Sequence, residues 1–393
     1  MLLDLHAHYP MHVIPRARRG THAQVERWKK ARFRALVVRL LSRLFNYQGP
    51  GDEPAVTLDL MRRGNVGVIL SVLYCPFDEI DLRKRYGAPP QANYFSDLVE
   101  QLEDVEADIA AHRHAGANVT IAHTRAELNE AIATGTPTLV HAVEGGFHLG
   151  ATEREVCENV AVLARRGVLY VTVAHLFWRQ VATNAPALPF MPDRLYRCVF
   201  RQSRDEGLTP LGEAVVRAMA AHGILVDITH MSEPAIAQTF RILDEIGGRD
   251  RIPVLATHGA YRFGHLAYNL SERTVQAVAR RGGVIGLILC EHYISDGWDK
   301  PRSFKDSFAL VRTHIDRIRE ITGSHDHVAF GSDLDGYIKP ALPGLEHLGH
   351  MRRLRDALAD HYDEAAVKGF ASGNALGVIN AAWQVSVDTL RNL

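Results

Sequence analysis

Leu2-Leu3-Asp4-Leu5-His6-Ala7-His8 is a short apolar run that stops on two histidines, and it sets the reading of the whole chain. Side chains two apart in a strand point the same way, so His6 and His8 can reach one ion. The pattern recurs downstream. Apolar runs at Val66–Leu73, Thr138–Val143, Leu169–Ala174, Ile224–Ile228, Pro253–Ala256, Val284–Leu289 and Val328–Phe330 read as buried strands separated by helical patterns. Eight such runs alternating with helices predict an α/β fold, a closed (β/α)8 TIM barrel with helical insertions in its βα loops. Near-continuous hydrophobicity, without strict alternation, is what parallel strands covered on both faces require. A ninth run, Asn118–Ala122, reads as an extra edge strand or part of a loop.

The polar residues that close these runs carry the chemistry. Strand one ends in His6 and His8, strand three in His141-Ala-Val-Glu144, and strand four in His175. Strand five ends in Asp227-Ile-Thr-His230, strand six in Thr257-His258, and strand eight in Ser332-Asp333-Leu334-Asp335. Each alone reads more readily as a core histidine or a capping aspartate than as a site. Together they fall at the C-terminal ends of six strands, the barrel face on which βα loops build active sites. A carboxylate set directly after an apolar run is costly to bury unless it is paired or binds metal. Imidazole and carboxylate without thiolate suit zinc, manganese or iron at a hydrolytic centre. Glu144 is the best placed residue to bridge two ions, Asp333 to move a proton, and His175 to donate a hydrogen bond to an oxyanion.

Composition narrows the alternatives. The 393 residues hold 45 Lys plus Arg against 45 Asp plus Glu, so no global charge points to nucleic acid. Four cysteines, far apart and without a C-x-x-C pair, give no disulfide framework and fit a reducing cytoplasm. The N-terminus carries no basic segment followed by a long apolar run, so no signal peptide is expected, and no run is long enough to span a bilayer. No Pro/Gly-rich linker divides the chain, so residues 1–393 read as one metal-dependent hydrolase barrel.

Two segments read as insertions. Residues 16–47 form a basic helical segment, with ten Lys and Arg between Arg16 and Arg43 against one acid, Glu26. It reads as a lid or oligomer-contact helix, with contact to an anionic membrane surface or an acidic substrate as the sharper alternative. Residues 176–210 are rich in Arg, Pro and aromatics and read as a long βα loop over the barrel mouth.

In this order and spacing the motifs VEGG (Glu144), VTVAH (His175), VDITHMS (His230), THGAY (His258), HVAFGSDLDG (Asp333) and SGNALGVI resemble the membrane (renal) dipeptidase family of the amidohydrolase superfamily. The resemblance implies two divalent metal ions, zinc by family habit, and hydrolysis of dipeptides, often with a D-residue on the C-terminal side. It also implies a homodimer as the oligomeric state to look for. Carried over by motif, His6 and His8 hold one metal, Glu144 bridges, and His230 and His258 hold the other. His175 falls on the substrate-contacting histidine and Asp333 on the proton shuttle.

Two departures bear on function. The family's first motif is H-x-D, whereas this chain has H-x-H, which exchanges an anionic ligand for a neutral one. The arginine that pairs with the dipeptide carboxylate is replaced by Tyr268, and a phenol does not reproduce a bidentate clamp. Arg262 or Arg179 are the nearby candidates to replace it. The same residues would also serve a lactonase or phosphoesterase, and the third reading is a non-catalytic binding barrel.

Overall fold

A computed structural model describes residues 1–13, 36, 53–79, 86–203, 206–247, 252–336 and 340–389. Apart from Leu36, the basic segment at 16–47 lies outside them.

Nine strands form one parallel sheet: β1 (Leu2–Ala7), β2 (Val66–Leu73), β3 (Thr120–Ile121), β4 (Thr138–Glu144), β5 (Tyr170–Thr172), β6 (Leu225–Asp227), β7 (Val254–Gly259), β8 (Val284–Leu287) and β9 (Val328–Phe330). Every run anticipated from the sequence overlaps one of them. The ring closes because β2 pairs in register with β4, Val68–Leu73 against Thr138–Val143, while β1 meets β9 through Asp4 and Phe330. Eight strands therefore make the (β/α)8 barrel. The ninth, β3, shares an edge of β4 with β5: Thr120 and Ile121 face Thr138 and Leu139, and β5 takes over at Val143.

Alternation along the strands separates two apolar populations. Leu3, Leu5, Val68, Leu70, Val140 and Ala142 point into the barrel, where they pack with Tyr170, Leu225 and Val284. Leu139, Val143, Val171, Val226 and Ile285 point outward beneath the helices. The floor of the barrel is shut by the helix Asn374–Thr389, whose Ala375, Val378 and Ile379 join the inner cluster.

Local signals set the helix ends. Thr124 with Glu127 and Thr152 with Glu155 form capping boxes. Ser271 accepts from the Thr274 amide at the start of Glu272–Arg280. Between β5 and β6 the chain runs through a short helix, Asp193–Val199, and lies on the strand ends: the Ala185 amide donates to the His230 carbonyl at 2.7 Å.

Candidate metal centre at the barrel mouth

The residues that close the strands converge on one carboxylate. His6 and His8 present Nε2 atoms 3.2 Å apart, and His230 and His258 present theirs 3.1 Å apart. Glu144 lies between the pairs, with Oε1 3.5 Å from His6, 3.6 Å from His230 and 3.3 Å from His258, and Oε2 3.6 Å from His8. Asp333 Oδ1 approaches His8 Nε2 at 3.2 Å and His6 Nε2 at 3.9 Å. All are buried. Tetrahedral zinc with bonds of about 2.0–2.1 Å sets its ligand atoms roughly 3.3 Å apart, so the nitrogen pairs have the spacing of ligands. Two nitrogens facing each other at that distance cannot both donate, and Glu144 Oε1 accepts no hydrogen bond among the described residues. A cation between them resolves both problems. The donors therefore fit divalent metal.

Supporting hydrogen bonds settle the tautomers. Thr257 Oγ1 donates to Asp227 Oδ2 at 2.7 Å, so it can only accept from His258 Nδ1, 2.8 Å away. The Tyr170 hydroxyl donates to the Leu5 carbonyl at 2.8 Å and so accepts from His6 Nδ1 at 2.9 Å. Both rings carry their proton on Nδ1 and leave the Nε2 lone pair for metal, the usual role of a hydrogen-bonded ligand histidine. Burial, reinforced by His258, pushes the His6 imidazole well below its ordinary range, and burial with His175 does the same for His230. Burial alone would raise the Glu144 carboxyl, but the facing His175 and His6 outweigh it and hold the group well below the usual carboxylate range.

His175 stands beside this cluster. Its Nδ1 lies 2.6 Å from Glu79 Oε2 and its Nε2 3.2 Å from Glu144 Oε2. Glu79 also accepts from the Tyr74 hydroxyl at 2.7 Å and the Phe177 amide at 2.8 Å, which suits an ionised carboxylate. Facing a carboxylate on each side, the ring satisfies both only by donating from both nitrogens.

Backbone strain concentrates here. His230 and Asp333 adopt left-handed conformations with φ of 67° and 56°, which for residues other than glycine is costly and clusters at functional sites. Gly286 and Gly331 allow β8 and β9 to close against β7, because a Cβ on either would run into the Thr257 carbonyl.

With that geometry in place, comparison with known proteins decides the family. The profile of the membrane dipeptidase family, peptidase family M19, matches residues 37–391. The chain belongs to that family. It is 27% identical over 187 residues to "Dipeptidase 3" of Mus musculus, covering 47% of this chain and 35% of the mouse protein. It is 28% identical over 179 residues to an uncharacterised Klebsiella pneumoniae protein from the pqqA 5′ region, covering 45% of this chain and 62% of that protein. The alignments thus span less than two thirds of either relative. Among solved structures, an M19 metallopeptidase, dipeptidase AC, superposes with a TM-score of 0.70 at 18% identity, over 97% of this chain and 98% of that one. A Rhodobacter sphaeroides metallopeptidase, crystallised with a phosphinate mimic of L-Ala-D-Ala, gives the same TM-score and identity over 97% and 99%. At such identity these structures speak for the fold.

Within this family member, the structure brings His6, His8, Glu144, His175, His230, His258 and Asp333 into one buried cluster. It sends three other strand-end residues elsewhere. His141 shares the outward face of β4 with Leu139 and Val143, opposite to Glu144. Asp227 faces hydroxyls, not imidazoles: it accepts from Thr172, Thr229 and Thr257. Asp335 accepts from the Ala55 and Val56 amides and anchors the chain as it returns towards β2. Both candidates for the missing carboxylate clamp are already partly engaged. Arg262 binds the Leu266 and Ala267 carbonyls and Glu233, and Arg179 binds the Asp78 and Glu79 carbonyls. Tyr268 donates its hydroxyl to the His258 carbonyl and stacks on Tyr293.

Glu79 and Tyr170 are absent from the sequence reading. Glu79 follows β2, one of the two strands to which no polar ending was assigned, and a carboxylate soon after a buried run was the available signal. Tyr170 is a phenol inside an otherwise apolar run, which marks a buried hydroxyl needing a partner. A cavity of about 740 Å³ between the helices Glu233–Gly247 and Glu272–Arg280 contains none of the mouth residues and is not the reaction site.

Proposed function

We propose that this chain is a binuclear metal-dependent dipeptidase, cleaving the amide bond of a dipeptide or a related small amide. The observation that carries the reading is the pair of Nε2···Nε2 contacts, His6–His8 and His230–His258, facing the single carboxylate of Glu144. In this reading His6 and His8 hold one ion, His230 and His258 the other, and Glu144 is shared. Bound there, two divalent ions, zinc by the family resemblance, lower the pKa of water towards about 7 and supply a nucleophile at neutral pH.

The protein's own groups do the rest. Asp333, directed at His8, takes the proton from the attacking water and returns it to the leaving amine. His175, oriented by Glu79, donates from Nε2 to the carbonyl oxygen as negative charge develops. Because His8 replaces an anionic ligand, Asp333, Glu144 and Glu79 supply the negative charge near the metals. The dipeptide mimic bound by the Rhodobacter sphaeroides relative supports a dipeptide-sized substrate.

The test is metal content by mass spectrometry on wild type and Glu144→Ala, followed by a dipeptide panel that includes D-residues at the C-terminal position. At least two equivalents in wild type, fewer in the variant, and turnover of a dipeptide are expected. No metal after reconstitution with zinc or manganese sinks the reading. Because Arg262 and Arg179 are engaged and Tyr268 is turned to the backbone, a second reading is hydrolysis of a lactone or phosphoester lacking a free carboxylate. Lactones and phosphodiesters in the same panel, inert beside a cleaved dipeptide, remove it.

A further inference from the structure

His141 is the exception among the strand-end histidines, because it is fully buried yet faces away from the mouth. Among the described residues neither of its ring nitrogens has a hydrogen-bond partner. A buried imidazole in that state is costly unless something missing from the protein atoms satisfies it. Its Nε2 lies 3.6 Å from Glu106 Oε1, too long for a hydrogen bond. Glu106 sits on the helix Ala92–His114, and its other oxygen, Oε2, takes a 2.7 Å ion pair from Arg166, which leaves Oε1 for His141. The third group is His123, just beyond β3, with its ring centroid 5.8 Å from that of His141. Its Nδ1 is 2.9 Å from the Arg166 carbonyl, so the proton resides on Nδ1 and the lone pair on Nε2. A ligand atom from each of Glu106, His123 and His141 lies within 4.8 Å of the others.

We propose that Glu106, His123 and His141 form a further divalent-metal site on the barrel flank, separate from the mouth, with zinc as the cation its donors suit. Two imidazoles and one carboxylate are a borderline-soft set, which selects zinc over magnesium or calcium. Three protein ligands leave a fourth position for water, and the partly exposed Glu106 and His123 give an ion a way in. The ion would join three elements: the helix Ala92–His114, the exit from β3, and β4. Binding to the folded chain alone would therefore raise its thermal midpoint. Arg166 places a positive charge beside the site and makes it the weaker of the two centres.

The test counts zinc per chain after saturation and desalting, on tag-free wild type, His123→Ala, Glu106→Gln and Glu144→Ala. His123→Ala and Glu106→Gln should each hold one equivalent fewer than wild type, with activity unchanged. Cobalt added to Glu144→Ala should give visible bands of a four-coordinate site that vanish in the Glu144→Ala/His123→Ala double variant. Equal zinc in wild type, His123→Ala and Glu106→Gln overturns the proposal, whatever the mouth holds.

Discussion

At the mouth of the barrel the buried side chains are His6, His8, Glu144, His175, His230, His258 and Asp333; at the floor they are Leu3, Val68, Val140, Leu225 and Val284, packed under Ala375, Val378 and Ile379. Both ends exclude water, yet by opposite means. The floor buries apolar area and needs no partners. The mouth buries charge and imidazole, holds two residues at positive φ, and uses the Tyr170 and Thr257 hydroxyls to keep His6 and His258 in one tautomer. Stability is thus concentrated at one end and chemistry at the other, so changes at the two ends should separate cleanly.

The sharpest way to break that separation is Asp333→Asn. Turnover should fall by about 10²–10⁴-fold, the range for loss of a general acid–base group, while metal content and thermal midpoint stay near wild type. Undiminished turnover in steady-state kinetics removes its proton-transfer role. The mirror experiment is Ile379→Ala at the floor. Denaturant unfolding should show a loss of about 2–5 kcal/mol, the cost of emptying a well-packed apolar site, with unchanged turnover per folded molecule. Equal damage to activity would mean that the floor and the mouth are coupled.

Smaller effects sharpen the picture. Thr257→Val keeps the shape but removes the hydroxyl between Asp227 and His258, so metal affinity should fall by roughly 10–100-fold in a chelator competition. An unchanged affinity would show that the packing around His258 alone orients it. The smallest effect is one of pH on metal-free protein. His6 and His230 are held below the ordinary imidazole value of 6.5, so below it the unfolded chain binds protons that the native mouth refuses. The thermal midpoint should therefore drop by a few degrees as pH falls from 7 towards 5. His230→Gln should flatten that slope and Ile379→Ala should not.

Much of this was legible one strand at a time. The eight buried runs announced a parallel barrel because strands covered on both faces have no reason to alternate. His6 and His8 announced a common target because two residues apart is one strand period. Glu144 stood out as a carboxylate at the end of an apolar run. What escaped was everything that depends on a neighbour distant in sequence. Glu79 reaches His175 across 96 residues, and Tyr170 reaches His6 across 164. Neither local pattern names its partner.

By itself the sequence determined the barrel, the strand ends that carry histidine and carboxylate, and the family, because periodicity and burial are local properties written into each segment. Only the tertiary structure decided which face each polar residue occupies and what answers it. Glu144 and His141 lie three residues apart on β4, an odd separation, so one enters the mouth and the other leaves through the flank. Arg262 and Tyr268 lie beside the mouth in sequence, yet backbone carbonyls claim them. The physical reason is that a buried polar group takes whichever partner the packing brings within about 3 Å, and packing is set by the whole chain.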